Sequence, residues 1–205
     1  MKLSRQFEKA LVYATRAHRD QTRKKTKIPY IAHILGVTAI AMEYGANETE
    51  AIAALLHDAV EDCGGEKRLR DIEKKFGKGV AKIVDGCTDT YEKPKPAWLE
   101  RKKNYIAHLK DSDSSTRLVS ASDKLHNTRA ILAELRRHGL QVFERFSGKK
   151  DGTLWYYRAL VTAFREHGDH ADLGRGGPRR NSNRKTLRSP LKSHLVVSQD
   201  KRHRS

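Results

Sequence analysis

The sequence predicts an all-α single domain over residues 1–168 followed by a disordered basic tail over 169–205, and three observations carry that expectation. Apolar residues recur at helical spacing along most of the first part, as in Phe7, Ala10, Leu11 and Ala14, which share one side of a 3.6-residue repeat. No segment alternates apolar and polar residues as a half-buried strand does. Beyond Gly168 the composition shifts to Gly-Arg-Gly-Gly-Pro-Arg-Arg-Asn-Ser-Asn-Arg-Lys, which has almost nothing to bury.

The elements follow in order. An amphipathic first helix spans Leu3–Arg19, and a basic, turn-prone run from Gln21 to Pro29 follows it. A second helix covers Tyr30–Tyr44 and is closed by Gly45. Asn47 is an N-cap with Glu50 three residues on, opening a nearly continuous apolar helix through Ala51–Val60 that carries His57, Asp58, Glu61 and Asp62 at its end. Gly64-Gly65 breaks the chain, and short helices follow at Leu69–Phe76 and Val80–Gly86. Thr88–Pro96 is a loop, because Pro94 and Pro96 forbid continuous helix. Two longer helices, Ala97–Leu109 and Ser115–His138, come next, the second interrupted near Asn127. A final helix runs over Thr153–His167.

Charge narrows the function less than it first suggests. The net charge is +17, of which residues 169–205 supply +7 and the preceding body +10. A basic body draws in a nucleotide or a nucleic acid alike, so the charge points to anionic partners without choosing one. The tail reads either as an arm for RNA or another acidic partner or as a solvated extension. No apolar run reaches the length of a membrane span, and Cys63 and Cys87 match neither a disulfide framework nor a zinc knuckle. The expectation is a cytoplasmic protein with two reduced thiols and no membrane partner.

Chemistry is expected where polar residues interrupt apolar surroundings. His57-Asp58 directly follows Ala53-Ala54-Leu55-Leu56, His33 sits among Ile31, Ala32, Ile34 and Leu35, and Asp123 sits within Leu118-Val119-Ser120-Ala121-Ser122. Burying these groups costs several kcal/mol unless something compensates, on the order of the transfer penalty for unpaired polar groups, and a metal ion is one such compensation. On a continuous helix Glu61 shares a face with His57, and Asp62 with Asp58. Two histidines and two carboxylates from three helices suit a first-row divalent ion, with Mn²⁺, Fe²⁺ and Zn²⁺ equally admitted by the donor atoms.

The wording of three segments resembles the HD superfamily of phosphohydrolases, and more closely the hydrolase domain of RelA/SpoT proteins. They are Ile28-Pro29-Tyr30-Ile31-Ala32-His33, Leu56-His57-Asp58-Ala59-Val60-Glu61-Asp62, and Ser122-Asp123-Lys124-Leu125-His126-Asn127-Thr128-Arg129. Ile72, Phe76-Gly77 and Ile83-Val84-Asp85-Gly86-Cys87-Thr88 extend the likeness. Together it covers roughly residues 5 to 167, with no synthetase domain in view, so the chain looks like a stand-alone small alarmone hydrolase.

The resemblance implies an all-helical HD hydrolase domain that removes pyrophosphate from the 3′ position of (p)ppGpp. His33, His57, Asp58 and Asp123 would hold Mn²⁺, Glu61 and Asp62 would activate or orient the attacking water, and Asn127 would meet the substrate near the scissile phosphate. Substrate binding would fall to Arg23, stacked on guanine, to Lys24, Lys25 and Lys27 on the phosphates, and to Thr128 and Tyr156. Aromatics at the helical spacing of Tyr156 and Tyr157 are more often core than pocket. Two departures stand out: Ile34 follows His33 where the family has Pro, and the basic loop is a residue longer and lacks the family's Gly. Two other readings remain: an HD phosphatase acting on another nucleotide such as NADPH, and a nucleic-acid-binding or antitoxin-type protein.

Overall fold

In a computed structural model of the chain, which describes residues 2–92 and 94–168, helix α1 (Arg5–Ala17) starts at Ser4, whose hydroxyl accepts from Gln6 N at 3.1 Å. Helix α2 (Ile31–Glu43) ends at Gly45, which adopts φ 85°. There Ala46 N donates to Ala41 O and Gly45 N to Met42 O, so the left-handed glycine satisfies two carbonyls at the end of the helix. Helix α3 (Glu48–Leu56) opens with the reciprocal cap read from the sequence: Asn47 Oδ1 accepts from Glu50 N, and Glu50 Oε2 accepts from Asn47 N.

The expected helix through Val60 is in fact two. Helix α3 stops at Leu56, His57 and Asp58 form a corner, and the five-residue helix α4 (Ala59–Cys63) continues from it. Asp58 has φ −97° and ψ −5°, on the edge of the helical region. The corner turns the two residues away from the register a straight helix would impose.

Helices α5 (Gly65–Phe76) and α6 (Lys78–Cys87) follow, the former a turn longer at its start than expected. The loop from Thr88 leads to α7 (Trp98–Asp111). Helix α8 (Ser114–His138) runs 25 residues without the expected interruption near Asn127. A 3-10 segment (Gly139–Arg145), not anticipated, joins it to α9 (Lys149–Gly168). Among the described residues there is no strand, only an isolated bridge between Thr22 and Pro29. The basic tail expected at 169–205 lies outside the described residues.

Two apolar clusters organise the helices. In the first, Ala10 and Ala14 of α1, Ile34, Val37 and Ala41 of α2, the Ile52–Leu56 face of α3 and Val119 of α8 interlock with α6. The many alanines let α1, α2 and α3 approach closely, so buried apolar area comes from tight backbone contact as much as from large side chains. The second cluster joins α7 and α9 through Tyr105, Leu109, Tyr156, Leu160 and Ala163. Helix α8 touches both: Val119 belongs to the first, and the Ser120 hydroxyl bonds the Tyr105 hydroxyl of the second.

Candidate metal centre

The first turn of α2, the corner between α3 and α4, and the middle of α8 converge on one point. His33 Nε2 lies 3.5 Å from Asp58 Oδ2 and 3.2 Å from Asp123 Oδ1, and His57 Nε2 lies 3.0 and 3.8 Å from the same two atoms. Ligand atoms of His33, His57 and Asp58 fall within 4.8 Å of one another. Both imidazoles and Asp123 are buried, while the Asp58 side chain is 20% exposed, so the centre opens to solvent on the Asp58 side.

The hydrogen bonds of His57 define its role. Its Nδ1 lies 2.9 Å from Ala54 O, and a carbonyl can only accept, so Nδ1 carries a proton and Nε2 is the titrating nitrogen. Nε2 is buried and makes no hydrogen bond, although Asp58 Oδ2 is 3.0 Å away. The distance suits a bond and the direction does not. Two imidazole nitrogens and two carboxylate oxygens gathered this closely, with one nitrogen left unbonded, make a donor set that fits a divalent ion. Burial pulls the His57 imidazole down, and Asp58 with Asp123 more than reverses this, raising it to about 9. The field that holds a proton there also holds a cation, which binds in competition with that proton.

Both carboxylates stay ionised. Burial pushes Asp58 up, and His57 and His33 bring it well below the ordinary range. Burial likewise raises Asp123, and Lys124, His33 and His57 together reverse it. Each also has an outer partner: the Tyr30 hydroxyl donates to Asp58 Oδ2 at 2.6 Å, Asn127 Nδ2 to Asp123 Oδ1 at 2.5 Å, and Lys124 Nζ sits 2.5 Å from Asp123 Oδ2. Tyr30 keeps its proton, since burial first and Asp58 second push its phenol far up.

Glu61 and Asp62 differ in their surroundings. Glu61 is taken up by the loop before α7: Lys95 Nζ meets its Oε1 at 2.6 Å and Asp89 N its Oε2 at 3.3 Å. Asp62 Oδ2 accepts from Gln21 Nε2 at 2.7 Å, and Gln21 Oε1 in turn faces His18 Nδ1 at 2.7 Å. Burial, then the charge of Asp58, raises the Asp62 carboxyl, and the Gln21 bond partly offsets this.

Of the expected substrate residues, Arg23 and Asn127 join the centre, through a bond from Arg23 Nη2 to Asn127 Oδ1 of 2.9 Å. The Arg23 guanidinium also lies 6.0 Å from the Tyr30 ring centre. Lys24, Lys25 and Lys27 are exposed on the same loop, and among the described residues none bonds a side chain of the centre. Lys25 adopts φ 57°, a left-handed conformation that favours glycine. The Thr128 hydroxyl donates back to Lys124 O at 2.7 Å. Tyr156 is packed in the cluster of α7 and α9, with Lys102 Nζ 5.3 Å from its ring and its hydroxyl buried without a partner.

Sequence reasoning assigned no role to Tyr30, Gln21, His18, His126 or Lys95. Tyr30 had a signal, since it stands three residues before His33 at a helix start. The others act through contacts between distant segments.

The HD domain family model matches residues 10–154. The chain belongs to the HD domain family. The guanosine-3′,5′-bis(diphosphate) 3′-pyrophosphohydrolase of Xenopus tropicalis is 40% identical over 122 residues, 58% of this chain and 65% of that protein. Its Homo sapiens counterpart is 38% identical over 130 residues, 62% of this chain and 69% of that one. A GTP pyrophosphokinase of Streptomyces coelicolor is 37% identical over 129 residues, 62% of this chain. This chain spans 15% of the Streptomyces protein's length and about two thirds of the vertebrate ones. A solved structure described as a metazoan ortholog of SpoT that hydrolyses ppGpp has TM-score 0.59 and 30% identity, covering 82% of this chain and 98% of that one. A Listeria monocytogenes protein gives TM-score 0.57 and 30% identity, covering 64% and 82%.

Proposed function

We propose that this HD domain hydrolyses (p)ppGpp at the 3′ position, consuming one water and releasing pyrophosphate with GDP or GTP, with Mn²⁺ held by His33, His57, Asp58 and Asp123. The observation that carries the reading is the buried His57 Nε2, unbonded although 3.0 Å from Asp58 Oδ2 and 3.8 Å from Asp123 Oδ1. The substrate is supported by the activity for which the vertebrate relatives are named.

The cation, when bound, would acidify a water and polarise a phosphoryl oxygen. The chain supplies the rest. Asp62 accepts the water's proton, its carboxyl raised above the ordinary carboxylate value by burial and by Asp58, which makes it the stronger base. Gln21 orients that carboxylate. Glu61, neutralised by Lys95, fixes the loop before α7 beside the centre and is not the base in this reading. Arg23 and Asn127 meet the substrate next to the reacting phosphate, and Lys24, Lys25 and Lys27 attract the second diphosphate by charge. Among the described residues no helix is long and apolar enough to cross a membrane, and the reading places the enzyme in the cytoplasm with its nucleotide.

The test is a substrate panel. With Mn²⁺ and ppGpp, pppGpp or NADPH, separated by anion exchange, the expected products are pyrophosphate with GDP or GTP. Orthophosphate with NADH would move the site to 2′-phosphate removal, and no turnover of any of the three would overturn the reading.

A further inference from the structure

We propose that His126 is a positioning residue for the metal ligand His33, and that Gly36 is the gap between α2 and α8 that holds His126 in place; this rests on the metal centre read above. His33 Nδ1 and His126 Nδ1 lie 2.9 Å apart, so one carries the shared proton. His33 turns Nε2 toward Asp58 and Asp123, at 3.5 and 3.2 Å. A ligating Nε2 must be a bare lone pair, which puts the proton of neutral His33 on Nδ1 and makes His126 the acceptor. His126 then carries its own proton on Nε2.

To accept, His126 must present Nδ1 as a bare lone pair, which the neutral imidazole with its proton on Nε2 does. The two ligand histidines are thus steadied in parallel ways: His57 by a backbone carbonyl, His33 by an imidazole. Both acceptors are uncharged. A carboxylate in either place would add a third negative charge beside Asp58 and Asp123.

Gly36 supplies the space. It lies three residues after His33 on α2, hence on the same face. A Cβ there would overlap His126 Cδ2 and Nε2, the ring edge away from His33. Glycine inside a helix costs about 1 kcal/mol relative to alanine, so a glycine here is explained by the ring it admits.

The experiment titrates metal-free protein with Mn²⁺ by calorimetry, with no nucleotide present. His126→Ala should weaken Mn²⁺ roughly 10- to 100-fold, the usual effect of removing the outer partner of a ligating histidine. Gly36→Ala, which leaves His126 in the chain but pushes its ring aside, should weaken binding as well. His126→Asn should recover much of the affinity, because its amide oxygen sits about where Nδ1 does, and His126→Leu should not. Circular dichroism of each variant reports folding separately. Wild-type Mn²⁺ affinity in folded His126→Ala would overturn the proposal while leaving the centre intact. No Mn²⁺ binding by the wild type would instead sink the centre, and this inference with it.

Discussion

Arg23 and Asn127 stand 104 positions apart and are joined by a 2.9 Å hydrogen bond, and Asn127 in turn donates to Asp123. The basic loop is thereby tied to Asp123 of the proposed metal centre through a single carboxamide. Arg23→Ala is expected to raise KM for ppGpp about 10- to 100-fold with a smaller change in kcat, the range for a lost hydrogen bond to a charged group. Arg23→Lys should not restore it, since a point charge does not reproduce the guanidinium fork. Steady-state kinetics decides, and an unchanged KM in Arg23→Ala would make the contact a loop clasp only.

Asp58→Asn and Asp123→Asn should both lose bound Mn²⁺ and hydrolysis, but they should differ in stability. Asp123 is the partner of Lys124, whose side chain is only 18% exposed. Removing it strands that ammonium, at a cost of about 2 to 3 kcal/mol, somewhat under the figure for a fully buried pair. Beside Asp58 stand the neutral Tyr30 hydroxyl and two imidazoles, which can shed a proton as Lys124 cannot, so Asp58→Asn should lower Tm less. Metal analysis with thermal melts of the metal-free proteins separates the two, and equal melting would refute the Lys124 argument.

Asp62→Asn should keep fold and metal while kcat falls on the order of 10²- to 10⁴-fold, because an amide cannot take a proton from water. Glu61→Gln should cost less, since Lys95 already occupies that carboxylate. The reverse ranking in kcat would transfer the base to Glu61.

The pH profile should report Gln21. A base works when deprotonated, so activity rises with pH through the pKa of Asp62. Gln21 lowers that pKa by donating to the carboxylate, against the upward push of burial and Asp58. Gln21→Leu should therefore shift the acid limb of kcat/KM to higher pH. A limb that stays put would mean that another group sets it.

A stability prediction concerns Asp113, the N-cap of α8. Burial pushes its carboxyl up, but the Thr116 amide and Lys82 bring it to about 2. A depressed carboxylate stabilises the fold above its unfolded value and loses that contribution as pH falls toward 2. Asp113→Ala should cost about 1 kcal/mol at neutral pH, whereas Asp113→Asn keeps a cap acceptor but loses the charge contribution there, so its Tm should start lower at neutral pH and fall less on acidification. Identical acid profiles for wild type and Asp113→Asn would show that the loss arises elsewhere.

The sequence displayed what depends on neighbours along the chain. The Asn47–Glu50 cap, the Gly45 stop and the polar intrusions His33, His57, Asp58 and Asp123 are local contrasts, and each stands where those contrasts put it. The corner at His57-Asp58 was hidden because no Gly or Pro marks it and Ala59-Val60 prolongs the apolar run. Gln21 and His126 were hidden for a different reason. Each is an ordinary polar residue until another helix brings Asp62 or His33 within bonding distance. By spacing Tyr156 suited a core more than a pocket, and it packs from α9 against Tyr105 and Leu109 of α7.

Because α8 is one uninterrupted rod, Asp123 shares a rigid body with Ser120, which grips Tyr105 of the α7–α9 layer. With the proposed ion in place, local unfolding of that layer and release of the ion become coupled events. Amide hydrogen exchange should slow on both sides of α8 when Mn²⁺ is added, in α7 and α9 as well as in α2, because a ligand that favours one end of a rigid strut raises the opening free energy of everything the strut spans.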